Sequence, residues 1–168
     1  MRNKIFFIIQ ALLRYCPFKF AISLRRFSYR FFFKKFGRNI TIYDSVVIKY
    51  PSDIELGDNV TINQFCFIAA KGGLKIGNDT MIGAGSKIVT TSHGFDDITT
   101  PMRLQPMSFK SITIEDDVWL GFNAIITGGS HIKKGSIVAT SSVVTGKTFN
   151  EYAVIGGIPA TLIRTRGN

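Results

Sequence analysis

Ile54-Glu55-Leu56-Gly57-Asp58-Asn59-Val60-Thr61-Ile62 returns twice further along the chain, as Leu74-Lys75-Ile76-Gly77-Asn78-Asp79-Thr80-Met81-Ile82 and as Ile112-Thr113-Ile114-Glu115-Asp116-Asp117-Val118-Trp119-Leu120. Self-similarity of this kind marks a repeat architecture. Around the copies aliphatic residues recur every six positions: Ile42, Ile48, Ile54; Leu56, Ile62, Ile68, Leu74; Ile76, Ile82, Ile88; Ile114, Leu120, Ile126, Ile132, Val138, Val144. Neither a helix nor an alternating strand produces that period. A coil with three flat sides does, one hexad to a side: the aliphatic residue points into the prism, and the Gly, Asn, Asp, Ser or Ala after it allows the corner. Stacked coils pair as parallel strands about 4.8 Å apart, so the interior becomes columns of Ile, Leu and Val. Evenly spaced strands of a β-sandwich would alternate at period two and lose this phase.

The phase breaks once in this reading, between Ile88 and Ile112. An excursion loop over residues 90–111 follows, carrying His93, Asp96, Asp97, two prolines, Met102, Met107 and Phe109. Long loops in compact domains are more often functional than decorative.

The chain has 168 residues with 21 Lys+Arg against 11 Asp+Glu, a net charge of +10. Distribution matters more than size: residues 1–38 hold ten Lys/Arg and no acid, while residues 39–168 hold eleven of each sign. The sequence therefore divides into a basic, aromatic, partly helical arm over 1–38 and a neutral repeat domain over 39–168. The longest nearly apolar run in the arm, Ile5 to Leu13, falls short of the roughly 20 residues that cross a bilayer as a helix. A signal peptide is disfavoured because no small-residue cleavage site follows that run. Basic and aromatic residues together can bind nucleic acid, but the aliphatic content fits lipid or packing better. The arm is thus expected either to dock on an anionic membrane surface or to cap the open end of the coil stack.

Cys16 and Cys66 give no disulfide framework, which points to a reducing, cytoplasmic compartment. No close ligand spacing joins the two Cys and two His, so no metal is expected. His131 stands beside an inward Ile and reads as a surface residue.

The hexads, Ile62-Asn63 after Leu56-Gly57-Asp58-Asn59, Thr91-Ser92-His93, Val118-Trp119-Leu120-Gly121, and Ala153-Val154-Ile155-Gly156-Gly157-Ile158-Pro159-Ala160 together resemble the hexapeptide-repeat acyltransferases. The resemblance covers about residues 39–166 and is nearest to the maltose, galactoside and nodulation-factor O-acetyltransferases and the enzymes that acetylate bacterial surface polysaccharides. It implies an all-β, left-handed parallel β-helix, a homotrimer, acetyl-CoA as co-substrate in a groove between prisms, and a saccharide acceptor. It also implies that His93 is the general base and that Asn63 binds the acceptor or the reacting centre. Trp119 would line the pantetheine channel, and the amide at Phe122, just past Gly121, would meet the oxyanion. Pro159 and Ala160 would lie along the nucleotide, with Lys147, Arg164 and Arg166 as cations for its phosphates.

The residues alone support part of this. Moving acetyl from a thioester to a hydroxyl needs a proton acceptor near neutral pH, for which His is suited. Asn63 also reads as a turn residue at a coil corner. The thirty residues between Asn63 and His93 suggest neighbouring coils of one face. Asp96 and Asp97 can orient the His93 ring or be solvated loop charges. Thr161 stands where many relatives carry an arginine after the Pro-Ala pair. The alternatives are N-acetylation of an amino sugar and a β-solenoid that only binds or scaffolds; a carbonic anhydrase on this fold needs three metal-binding histidines, and the chain has two.

Overall fold

In a computed structural model describing residues 2–167, the hexads build a parallel β-solenoid with three faces. Face A stacks Lys35–Phe36, Ile54–Leu56, Leu74–Ile76, Ile112–Ile114 and His131–Ile132. Face B stacks Thr41–Ile42, Thr61–Ile62, Met81–Ile82, Trp119–Leu120, Ile137–Val138 and Ala153–Gly157, and ends on the antiparallel strand Ala160–Thr165. Face C stacks Val47–Lys49, Phe67–Ala69, Lys87–Val89, Ile125–Thr127 and Val143–Thr145. Registers join like to like: Ile42 lies on Ile62 and Ile62 on Ile82, while Ile48 lies on Ile68 and Ile68 on Ile88. Each of these side chains is almost wholly buried, a stabilisation of about 1.5 to 3 kcal/mol apiece before entropy is counted.

The repeated nonapeptide is a face-A strand, the corner between faces A and B, and a face-B strand. Asn39, Asn59, Asp79 and Asp117 occupy that corner with φ of 54 to 59°, a left-handed geometry that Asn and Asp tolerate best among residues with a side chain. Their side chains tie coil to coil: Asn39 Nδ2 donates to Asn59 Oδ1 at 3.0 Å, and Asn59 Nδ2 to Asp79 Oδ1 at 2.7 Å.

The phase breaks at more than one place. Leu56 pairs with Ile76, twenty residues on, whereas Ile114 pairs with Ile132, eighteen on. The early coils carry two extra residues at the corner between faces C and A, at 50–53 and 70–73. Residues 90–111 enlarge this same corner one coil later. The insert is therefore the third enlargement of a corner that was already long.

The arm forms helices α1 (Arg2–Leu13) and α2 (Lys19–Tyr29), and the first face-A strand, Lys35–Phe36, already lies within the segment read as arm. The arm closes the open end of the stack. Gln10 bridges the first face-C strand: its Oε1 accepts from the Ile48 amide at 2.7 Å and its Nε2 donates to the Ile48 carbonyl at 3.3 Å. Arg25, buried, donates to the carbonyls of Ile42, Leu13 and Cys16 at 2.8, 2.8 and 3.0 Å. Burial lowers the Arg25 pKa, opposed by Tyr29, Asp44 and Cys16. Phe6, Tyr29, Phe32 and Phe33 complete the plug, with the Phe6 and Tyr29 rings edge to face at 4.9 Å. No described helix is long and apolar enough to cross a membrane.

Candidate active site

The predicted site residues gather at two places. The first is the corner between faces B and C. Here the amides of Asn63, Gly83 and Gly121 donate to the carbonyls of Ile82, Leu120 and Val138, one coil to the next. Asn63 Nδ2 donates to that same Ile82 carbonyl at 2.8 Å, which leaves its Oδ1 with no partner among the described residues. At Gly121 a Cβ would come within 2.7 Å of the Thr140 nitrogen and 2.9 Å of the Val138 oxygen, so the stack admits only glycine. Phe122 accepts from the Ser141 amide, while its own N–H has no acceptor among the described residues. Trp119 stands exposed on face B between Met81 and Ile137, and the Phe122 ring is exposed beside it in sequence.

Phe65 belongs to this corner and was not read as a site residue. It takes φ 60° with its ring 68% exposed, where the matching places of other coils hold Ser45, Gly85, Asn123 and Ser141. A bulky aromatic in the left-handed region is strained, and such strain collects at functional sites. The signal was visible: an aromatic two residues after Asn63, in a slot otherwise given to small or turn-forming residues. Nearby Cys66 is buried, its Sγ donating to the Gly83 carbonyl at 3.2 Å. Burial pushes its thiol up to about 11, which leaves little thiolate near neutral pH.

The second place is the excursion. Thr91–His93 and Met107–Phe109 form an antiparallel hairpin that pairs His93 with Met107 and Thr91 with Phe109. Opposed residues and residues two apart share a face of such a ladder. His93, Met107 and Phe109 therefore lie on one side, with Lys71 Nζ 4.7 Å from the centre of the Phe109 ring. His93 is exposed, and its ring has no hydrogen-bond partner among the described residues. Neither acid orients it. Asp97 Oδ1 accepts from the Thr99 amide at 2.8 Å and the Thr99 hydroxyl at 2.6 Å. Those bonds, with others from Thr100, lower the carboxyl pKa to about 2. Gln105 Nε2 donates to the carbonyls of Asp97 and Thr100, both at 2.7 Å. Asp97 thus shapes the loop rather than the imidazole, and Asp96 makes no bond to the ring among the described residues.

Asn63 and His93 do not share a face. The coil between them spans twenty residues, Ile62 pairing with Ile82, so thirty residues is one coil and one further side. Asn63 precedes the face-C strand Phe67–Ala69, and His93 follows the face-C strand Lys87–Val89. Three strand residues, about 10 Å of extended chain, and a corner separate them. One chain holds the two expected halves at opposite edges of face C.

The expected phosphate cations are also dispersed. Lys147 is exposed just past the face-C strand Val143–Thr145. Arg164 lies on the returning strand opposite Val154; Ile158 and Pro159, joined by a cis bond, form the turn into that strand, and Ala160 is its first residue. Arg166 donates to Asp117 Oδ2 at 3.0 Å and to the Gly135 carbonyl at 2.7 Å. Its guanidinium fastens the tail to the corner between faces A and B, away from Phe122. His131 is half-buried, with Nε2 2.5 Å from Glu115 Oε1. The carboxyl of Glu115 is held below its ordinary value: burial acts to raise it, and the Lys134 amide and the His131 ring outweigh that. No group of three His, Cys, Asp or Glu among the described residues could hold a metal.

No family model matches the chain. It is 30% identical over 142 residues to WcaF of Escherichia coli K12, named for acetyl transfer in colanic acid biosynthesis, covering 84% of this chain and 75% of that protein. The chain belongs to the hexapeptide-repeat acetyltransferases. Over 118 residues it is 32% identical to WbbJ of the same organism, named for O-acetyl transfer in lipopolysaccharide biosynthesis; this covers 66% of the chain, which spans 60% of WbbJ. A crystal structure of a hexapeptide-repeat acetyltransferase from Vibrio cholerae O1 biovar eltor, complexed with acetyl-coenzyme A, superposes with a TM-score of 0.88 at 25% identity. That likeness covers 99% of this chain and 88% of the other, so the helical arm, and not the solenoid alone, has a counterpart there.

Proposed function

We propose that this acetyltransferase moves the acetyl group of acetyl-CoA onto a hydroxyl of a saccharide, in the biosynthesis of a bacterial surface polysaccharide. The observation that carries this reading is His93, an exposed imidazole with no hydrogen-bond partner among the described residues, held on a two-stranded hairpin at a corner of a rigid solenoid. Its ring takes the proton of the hydroxyl while that oxygen bonds to the thioester carbonyl carbon. The carbon–sulfur bond then breaks, and the proton returns to the leaving thiolate. No acyl-enzyme is needed, and buried Cys66 is unsuited to form one.

Asn63 Oδ1 is placed to accept from the acceptor or its attacking hydroxyl, and the free Phe122 N–H to donate to the developing oxyanion, a contact typically worth a few kcal/mol. Phe65, Trp119 and Phe122 supply apolar walls. The two halves sit at opposite edges of face C, so a working site needs the hairpin of one subunit beside the Asn63 corner of another. That is the arrangement of a cyclic homotrimer. The hairpin supports it: Phe95, Ile98, Met102 and Leu104 are all more than half exposed in the single chain, an apolar surface suited to a neighbouring prism. Acetyl-CoA is a cytosolic thioester, so this reading puts the reaction on the cytoplasmic side.

The test is thiol release from acetyl-CoA by purified protein offered a panel of bacterial surface saccharides. His93→Ala should lower turnover by about 10² to 10⁴, the usual yield of a general base, with KM for acetyl-CoA nearly unchanged. Full activity in the variant would remove His93 from the mechanism.

A further inference from the structure

The arm has two faces, and the cap uses only one. On α1 the inward positions are Phe6 and Gln10, with Ile9 and Leu13 behind them; on α2 they are Ala21, Arg25 and Tyr29. The opposite sides carry Phe7, Ile8, Leu12, Phe20, Phe27 and Phe31, from 57 to 77% exposed. Five large apolar side chains on two adjoining helices, with Phe31 just past α2, far exceed the scattered exposure a soluble surface normally shows.

Its charge is one-sided as well. Of the ten basic residues in 1–38, Arg25 is buried in the cap, and Lys34 and Arg38 pair with Glu55 and Asp58. No ion pair among the described residues uses Lys4, Arg14, Lys19, Arg26, Arg30 or Lys35. Arg30 lies over the rings of Phe27 and Phe31, 4.6 and 4.7 Å from their centres. Aromatic rings flanked by guanidinium and ammonium groups, with no carboxylate in the segment, match a surface that is apolar within and anionic at its rim.

We infer that the outer faces of α1 and α2 dock the protein on an anionic lipid bilayer surface, lying in the headgroup region without crossing it. The cap and the docking face are back to back, so the solenoid hangs from the membrane by its first coil. This inference does not depend on the acetyl-transfer reading. Charge complementarity selects lipid over a second copy of the chain, because two such faces would bring like charges together.

The experiment is flotation of the full chain with vesicles of phosphatidylcholine alone or of phosphatidylcholine with phosphatidylglycerol, at low and high salt. Each basic residue near an anionic surface contributes about fivefold in partition, and salt screens that attraction. Lys19→Gln with Arg26→Gln and Arg30→Gln should therefore weaken binding to the anionic vesicles about a hundredfold. Phe7→Gln with Leu12→Gln and Phe27→Gln should abolish flotation while leaving the melting temperature unchanged, since these side chains lie outside the cap. Binding that is equal on both vesicle types, or absent from both at low salt, would overturn the inference. So would an apolar variant that only reduces the oligomer mass, which would make the face a contact between copies.

Discussion

A site divided between subunits can be tested by breaking its halves in different chains. His93→Ala disables the hairpin half and Asn63→Ala the corner half. Within one chain a face-C strand of about 10 Å and a corner separate the two, beyond the roughly 3 Å at which a base and an acceptor-binding amide must both meet a hydroxyl. Co-expression with two different tags, followed by purification on both, leaves only trimers that contain each variant. In a ring of three, whichever variant is doubled, one interface joins an intact hairpin to an intact corner. Mixed trimers should therefore show about one third of wild-type thiol release per ring, although each variant alone is nearly inactive. His93 is exposed and Asn63 lies at a corner outside the buried columns, where the Ile82 carbonyl keeps its bond from the residue 63 amide, so the solenoid should form in both. Mixed trimers no more active than the mean of the two single variants would show that each chain carries a complete site, and the shared-site reasoning would fail.

Three further outcomes follow from the geometry. Gln10→Ala strands the Ile48 amide and carbonyl beneath the cap, at about 1 to 3 kcal/mol per unsatisfied group; at about 2 to 4 °C per kcal/mol calorimetry should register a clear drop in melting temperature, and no drop would mean that the cap does not hold the first coil. Phe65→Asn should relieve roughly 1 kcal/mol of left-handed strain and raise the melting temperature, yet raise KM for the saccharide. If KM stays fixed, Phe65 is no wall of the site. A thiol reagent at neutral pH should modify Cys16 and spare Cys66 until the chain unfolds, because burial raises the Cys66 thiol to about 11; equal rates at both cysteines would contradict the packing of that corner.

The solenoid was legible because its inward residues and its corner residues obey separate local rules. Ile62 or Ile82 must fill the column, and Asn59 or Asp79 must bend left-handed, so each coil writes both requirements into the sequence. The two extra residues at 50–53 and 70–73 were harder to see. They shift the count without changing residue type, and Ile54 and Leu56 both point inward. The pairing of Asn63 with His93 went astray for a related reason: a separation counts coils only when its remainder over the coil length is also read as a side of the prism. Nothing in the linear order marks Arg166 as a partner of Asp117, because the tail reaches that corner only by turning back through Gly157 and Pro159. Asp97 looked free to orient an imidazole, but Thr99, two residues on, satisfies its carboxylate first, a competition that short loops with Asp and Thr often settle locally. In the arm, spacing on α1 and α2 encodes both faces, while the basic residues obscured which of them packs.

Incubation of the purified protein with acetyl-CoA and a candidate surface saccharide, followed by mass analysis of the saccharide before and after mild alkali, tests the central claim most directly. The account predicts an added acetyl group that mild alkali removes, as an ester requires, and its loss in His93→Ala. An alkali-stable acetyl amide, or an ester formed equally well by His93→Ala, would contradict it.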